Sequence, residues 1–282
     1  MKTVETLQEL WQARKELPGP VGLVPTMGFL HEGHLALVKQ AKQSCASVVV
    51  SIFVNPTQFG PSEDLDAYPR DLQRDLSLLE ALDVDLVWIP TAEVMYPEGY
   101  QTWVEVSDVT QPLEGSFRPG HFRGVTTVVS KLFNAIQPDV AVFGQKDAQQ
   151  AAVIRQMTRD LSYPLRIEIA PIVRESDGLA LSSRNTYLNP EQRQAATVLN
   201  RALRSAEKAY LGGERNAGNL RQIMSETIAA EPLADMQYVS CADRVTLEEL
   251  DTISNGALLS MAVYVGKTRL IDNWILENQP VA

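Results

Sequence analysis

The run Pro25-Thr26-Met27-Gly28-Phe29-Leu30-His31-Glu32-Gly33-His34 places two glycines and two imidazoles at a spacing that suits anion chemistry. Gly28 and Gly33 permit close backbone approach or dihedrals closed to other residues. Two imidazoles three residues apart near a helix start lie on neighbouring positions of one face. Free amide N–H groups at such a start, with the helix dipole, form a phosphate site. Imidazole can add a hydrogen bond to phosphate oxygens, reinforced by Coulomb attraction when the ring is protonated. Two other readings compete. A metalloprotease zinc helix needs H-E-x-x-H, whereas His31 and His34 stand in H-E-x-H. Both could be incidental first-turn residues, although the strand–Gly–His–Gly–His context weighs against that. The P-loop pattern G-x-x-x-x-G-K-[ST] is absent.

Four further constellations carry weaker signals. Phe143-Gly144-Gln145-Lys146-Asp147 leads into Gln149 and Gln150 where a strand hands over to a helix, and Lys146 offers an ammonium suited to phosphate. Alone, a Lys-Asp pair at a helix start is usually a solvated cap. Leu181-Ser182-Ser183-Arg184-Asn185 supplies two hydroxyls and a guanidinium that could wrap a polyphosphate, though it is also ordinary loop composition. Phe53-Val54-Asn55-Pro56-Thr57-Gln58-Phe59 ends a strand with amides suited to a small polar ligand. Arg118-Pro119-Gly120-His121-Phe122-Arg123-Gly124 adds two cations and the remaining histidine. At least three of these constellations leave the carboxyl ends of expected strands, where one crevice could collect them. That coincidence favours a nucleotide site.

The elements that must position these residues follow from hydrophobic patterning. Apolar runs at 21–25, 48–54, 85–89, 139–144 and 166–173 predict buried strands. Helices are expected at 34–46, 69–82, 125–136 and 147–161. The alternation predicts an α/β fold, a doubly wound, Rossmann-like parallel sheet, with ligand beyond the carboxyl ends of its strands. After Val173 the pattern changes. A polar, turn-rich stretch at 174–186 is followed by expected helices at 190–211 and 216–230, then strands at 236–242, 258–265 and 269–276. Helices followed by strands predict a second, smaller α+β domain, which places the domains at 1–173 and 174–282.

Composition limits the partners. The 282 residues carry a formal charge of −10 at pH 7, which argues against a large sequence-independent nucleic-acid footprint. An anionic substrate would therefore need a locally positive cleft. Two cysteines, Cys45 and Cys241, lie far apart and without metal-like spacing, as expected of a reducing cytoplasmic setting. The first sixteen residues have no apolar signal core, and no stretch approaches the ~20 apolar residues that would span a bilayer.

Taken in order, the motifs resemble those of the pantothenate synthetase (pantoate–β-alanine ligase) family. Residues 25–34 resemble the HIGH-type nucleotide site of nucleotidylyl transferases and class I aminoacyl-tRNA synthetases, and 181–184 the KMSKS-type phosphate loop of that superfamily. The family order P-T-M-G-x-L-H-x-G-H, F-V-N-P-x-Q-F, R-P-G-H-F-x-G-V-x-T-V-V, G-x-K-D-x-Q-Q and S-S-R-N is followed throughout. It closes with Val265-Gly266-Lys267-Thr268-Arg269-Leu270-Ile271-Asp272-Asn273, so the resemblance covers most of the chain. Leu181 stands where the family often has Met, an apolar swap of similar volume.

The resemblance implies condensation of pantoate with β-alanine through pantoyl adenylate, with ATP converted to AMP and pyrophosphate. It implies ATP contacts at Met27, Gly28, Phe29, Leu30, His31, Glu32, Gly33, His34, Gly144, Gln145, Lys146, Asp147, Val173, Leu181, Ser182, Ser183 and Arg184. His34, His31, Lys146 and Arg184 would be catalytic, and Gln58, Gln150 and Asn55 would bind substrate. Mg²⁺ would be held mainly by phosphates, with no protein metal ligand named. A homodimer is implied too. Residues 60–71, directly after Gln58, are either a solvated connection or a lid shielding the acyl adenylate from water. Another HIGH-type transferase, which would leave AMP on its product, is disfavoured by the Gln58 and Gln150 motifs and by the second domain. A tRNA synthetase is disfavoured by acidity and the lack of an anticodon-binding region, and a non-catalytic nucleotide module by intact His31, His34, Lys146 and Arg184.

Overall fold

The computed structural model describes residues 1–61 and 63–278. The chain divides into two compact units, 1–145 with 150–171, and 146–149 with 172–282. In the first, β1 (Lys2–Val4), α1 (Leu7–Lys15), β2 (Val21–Thr26), α2 (Glu32–Ser44) and β3 (Ser47–Ile52) come first. They are followed by α3 (Leu72–Glu80), β4 (Leu86–Trp88), α4 (Ala92–Met95), α5 (Glu114–Phe117), α6 (His121–Ile136), β5 (Val140–Gly144), α7 (Ala148–Asp160) and β6 (Arg166–Ala170).

The six strands form one parallel sheet in the order β1-β4-β3-β2-β5-β6. Side chains alternate between its faces, because successive strand residues point in opposite directions. Leu23, Val49, Leu86, Trp88, Ala141 and Phe143 pack with Leu10 of α1, Val125 to Ile136 of α6 and Met157 of α7. Their neighbours Val24, Val48, Val50, Val87, Val140 and Val142 pack on the other face with Val38 and Ala41 of α2 and Leu79 of α3. Helices on both faces are what the expected doubly wound sheet requires.

The strand order reverses at β2, where β3 lies on one side and β5 on the other. β2 pairs with β5 only at Gly22↔Val140 and Leu23↔Ala141, while β5 continues against β6 to Gly144↔Ala170. Beyond Leu23 the two central strands therefore part. Pro25, with no N–H to donate, stands on β2 in the parted stretch, where its missing donor costs no β5 bond. This is the topological switch point at which open α/β sheets bind ligand.

The second unit carries α8 (Pro190–Ala195), α9 (Val198–Leu211) and α10 (Ala217–Ala229), packed on an antiparallel sheet of β7 (Ala234–Ala242), β8 (Ala257–Val265) and β9 (Thr268–Leu276). It is the α+β arrangement expected from the sequence.

Several boundaries differ from the pattern-based expectation. The N-terminal strand and helix were not anticipated, although Thr6 and Glu9 form a capping box at the start of α1. The helix expected at 190–211 breaks after Ala195, and the Thr197 hydroxyl bonds back to the Gln194 carbonyl at 2.8 Å. α6 begins at His121 rather than 125, directly after Gly120 in a left-handed conformation. β6 stops at Ala170, immediately before Pro171.

Candidate active site

The chain leaves β2 at Thr26 and turns through two successive left-handed residues, Gly28 (φ 82°) and Phe29 (φ 51°), before α2. The amides of Gly28, Phe29 and Leu30 all have partners. The Thr26 hydroxyl accepts from Gly28 N at 3.2 Å and donates to the Ser51 carbonyl at 2.9 Å. Phe29 N and Leu30 N donate to the two oxygens of Asp75, both at 2.7 Å. Leu30 also has its carbonyl occupied, by Arg74 at 2.8 Å, and its side chain is in the core. Glu32 is exposed and faces Lys39 at 3.6 Å.

His31 is the N-cap of α2, and the two histidines form a reciprocal capping box. His31 Nδ1 accepts from Gly33 N at 3.1 Å, and His34 Nδ1 accepts from His31 N at 3.3 Å. The His34 amide donates to the His31 carbonyl at 2.8 Å. The sequence reading expected free amides at this helix start, but those of Gly33 and His34 are satisfied within the turn. The accepting role of each Nδ1 places the proton of the neutral ring on Nε2. The two rings lie 4.1 Å apart, centroid to centroid. In each neutral ring the N–H donor is thus Nε2.

Asn55 and Gln58 sit on a tight turn after β3. Asn55 is buried, with only 1% of its surface exposed. It donates to Gln58 Oε1 at 3.1 Å and to the Gly124 carbonyl at 3.2 Å. Its Oδ1 accepts from the Thr57 hydroxyl at 2.9 Å and the Tyr96 hydroxyl at 2.8 Å. The Asn55 amide is consumed in holding the turn. Gln58 Nε2 points to Met27 Sδ at 3.2 Å, so the amide of one motif meets the turn of the other.

The 118–124 motif, given no specific role from sequence, supports this turn from α6. His121 Nδ1 lies 2.8 Å from the Gln58 carbonyl and its Nε2 lies 3.1 Å from Arg118. A carbonyl can only accept and a guanidinium can only donate, which assigns the ring proton to Nδ1. Burial, then the nearby Arg118 charge, pushes the His121 pKa down to about 4. Arg118 grips Glu63 with two bonds of 2.7 and 2.8 Å. A Cβ at Gly124 would stand 2.4 Å from the Thr57 carbonyl oxygen and 2.7 Å from Gln58 N, so only glycine lets α6 approach so closely. Within the stretch expected as a connection or lid, Glu63 and the buried Tyr68 are thus tied down, while Ser62 lies outside the described residues.

Gly144 ends β5, and Gln145, Lys146 and Asp147 form a short 3-10 turn before α7, with Gln150 half-buried on its first turn. Lys146 and Asp147 pair at 3.8 Å. Within the second unit, Asn273 of β9 donates to the Lys146 carbonyl at 2.9 Å. Its neighbour Asp272, 2% exposed, takes two bonds from Arg174 at 2.7 and 2.9 Å. Burial raises the Asp272 pKa, opposed by the Arg174 bonds and charge. Arg174 opens the hairpin that returns through Leu181, whose amide donates to the Val173 carbonyl at 3.0 Å. Ser182 then caps the 3-10 turn Ser183–Tyr187, accepting from Arg184 N at 3.3 Å, and Asn185 ties it to the Ala180 carbonyl at 3.0 Å. The late 265–273 run thus positions Lys146 and the serine–arginine loop from one strand. No cluster of three or more His, Cys, Asp or Glu that could hold a metal occurs among the described residues.

A family model described as pantoate-beta-alanine ligase matches residues 1–275. The chain belongs to this family. A pantothenate synthetase of Chloroflexus aurantiacus is 60% identical over 280 residues, 99% of this chain and 99% of the relative. One from Herpetosiphon aurantiacus is 59% identical over 277 residues, 98% of this chain and 100% of the relative. The crystal structure of pantothenate synthetase from Thermus thermophilus superposes with a TM-score of 0.93 at 47% identity, covering 97% of this chain and 99% of that one. The Francisella tularensis pantoate-beta-alanine ligase, complexed with beta-gamma ATP and beta-alanine, superposes with a TM-score of 0.82 at 35% identity, covering 98% and 97%. The family assignment agrees with the resemblance drawn from the motifs, and the two-sheet architecture is that of its solved members.

Proposed function

We propose that this member of the pantoate-β-alanine ligase family works in two steps through pantoyl adenylate. A carboxylate is a poor acyl donor because oxide would have to leave. In the first step a pantoate carboxylate oxygen attacks the α-phosphorus of ATP, and the bond to pyrophosphate breaks. In the second the β-alanine amine attacks the acyl carbon, loses a proton, and AMP departs. Neither step needs a protein nucleophile, so positioning and charge stabilisation carry the catalysis.

The observation that carries this reading is the turn at the parted ends of β2 and β5, which sets two imidazoles, each with Nδ1 as acceptor, at a switch point. His34, supported by His31, donates to phosphate oxygens where charge builds as pyrophosphate leaves. Lys146 and Arg184 neutralise the phosphates. The turn 27–34 and the segments 144–147 and 181–184 hold ATP, with Val173 meeting the adenine through its backbone. Gln58 and Gln150 bind pantoate, Gln58 meets β-alanine as well, and Asn55 acts through Gln58. Mg²⁺ enters as part of the Mg-ATP substrate, held mainly by phosphate oxygens and water. The resemblance further supports a homodimer, and the free cysteines fit a cytoplasmic setting. No helix among the described residues is long and apolar enough to cross a membrane.

The test is to mix enzyme, pantoate and Mg-ATP without β-alanine. Pyrophosphate should appear together with an enzyme-bound acyl adenylate. When β-alanine is then added, ¹⁸O from the pantoate carboxylate should emerge in AMP. Label retained wholly in pantothenate would refute the adenylate route.

A further inference from the structure

We propose that Asp75, with its neighbour Arg74, is a positioning residue for adenylate formation: α3 holds the 28–30 turn, and through it the histidine pair, in the conformation that meets ATP. The inference rests on the ATP-dependent reading above and adds to it a group outside the motif. Gly28 takes its positive φ without steric cost, but Phe29 does not, and a residue with a side chain held there persists only where the surroundings impose it. The imposing group here is one carboxylate, 1% exposed, that receives the amides of Phe29 and Leu30 on separate oxygens at 2.7 Å each. Arg74 closes the other side, donating to the Leu30 carbonyl at 2.8 Å, with its guanidinium 5.7 Å from the centre of the Phe29 ring. The fit is close at Gly28 too, where an added Cβ would stand 3.1 Å from Asp75 Oδ2. His31 follows directly, so the direction of both rings is set by where this carboxylate holds the chain.

A purely stabilising role has a counterpart in the same sheet. Asp85 accepts from Val48 N at 2.7 Å at the start of β3, the opposite end from the turn. Asp75→Asn and Asp85→Asn each exchange one carboxylate oxygen for an NH₂ group. In Asp75→Asn that group confronts one of the two amides, donor against donor, and the turn must shift. The expected result for Asp75→Asn is a 10- to 100-fold loss in kcat/KM for ATP in pantoate-dependent pyrophosphate release, the loss of a charge-assisted bond read as a rate. Affinity for a non-hydrolysable ATP analogue, measured by calorimetry, should fall while the KM for β-alanine holds. Asp85→Asn should lower the melting temperature and leave nucleotide affinity unchanged. Arg74 is exposed, and Arg74→Met removes the donor to Leu30 while keeping much of the stem, so the same split, roughly 3- to 10-fold, is expected even if Asp75→Asn does not fold. Wild-type nucleotide affinity and kcat/KM in both folded Asp75→Asn and Arg74→Met would overturn the assignment, as would an equal loss of nucleotide affinity in Asp85→Asn. If the wild-type enzyme released no pyrophosphate with pantoate, the ATP-dependent reading would fall, and the analogue affinities would still decide the role of Asp75.

Discussion

Lowering the pH from 7 to 5 should weaken the fold by about 1.5–2 kcal/mol through His121 alone. The ring takes a hydrogen bond from Arg118 on one nitrogen and gives one to the Gln58 carbonyl from the other. A second proton would set an imidazolium N–H against the guanidinium. The folded pKa, about 4, lies below the ordinary 6.5, so as pH falls the unfolded chain takes up the proton first. The contribution is therefore fully present above the ordinary value and drains away as pH falls toward the folded one, at up to ~1.4 kcal/mol per pH unit. Glu63 adds little in this window. Burial opposes its charge, but the Arg118 bonds and charge outweigh that and hold it below its ordinary 4.5, so its share is lost at still lower pH. The chain has three histidines, which makes the assay direct. Ring-proton resonances assigned with His121→Gln should show one imidazole that stays neutral down to about pH 5. Urea unfolding of the wild type should then lose stability between pH 7 and 5 relative to His121→Gln, which cannot titrate. A His121 resonance with a midpoint near 6.5, or parallel pH dependence in the two proteins, would refute the reasoning.

Other perturbations separate the parts of the site. His34→Ala should lose on the order of 10²–10³ in adenylate formation yet recover much of its activity when given preformed pantoyl adenylate and β-alanine, with melting showing only the loss of about 0.5–2 kcal/mol expected for its capping contact to the His31 amide. His34→Gln keeps a donor without the capacity to become cationic, so comparing the two in pyrophosphate release separates hydrogen bonding from charge. Lys146→Ala should slow adenylate formation roughly 10- to 100-fold in a folded protein, as single-turnover kinetics would show. Gly124→Ala forces a Cβ against the Thr57 carbonyl oxygen, 2.4 Å away. It should cost about 1–3 kcal/mol by thermal melting and raise the KM for pantoate more than that for ATP, because it displaces Gln58.

Much of the molecule was legible before folding. The strand 47–52 is buried along its whole length and, apart from Ser47 and Ser51, apolar, because both faces of the sheet are covered, and that pattern is local. The βα alternation predicted the doubly wound sheet, and the glycines of the Pro25 to His34 run marked a turn between a strand end and a helix start, since such signals are local too. Sequence did not reveal that the first-turn amides are already satisfied, or that the histidines cap one another, because that depends on ring orientation. Nor did it assign Asp75, Glu63 or His121. Asp75 meets residues 45 and 46 positions earlier, Glu63 its arginine 55 positions later, and His121 the Gln58 carbonyl 63 positions away. No periodicity encodes such pairs. The local pattern determined which elements form and where chemistry could lie. Tertiary packing decided which charged groups are buried and what each must face.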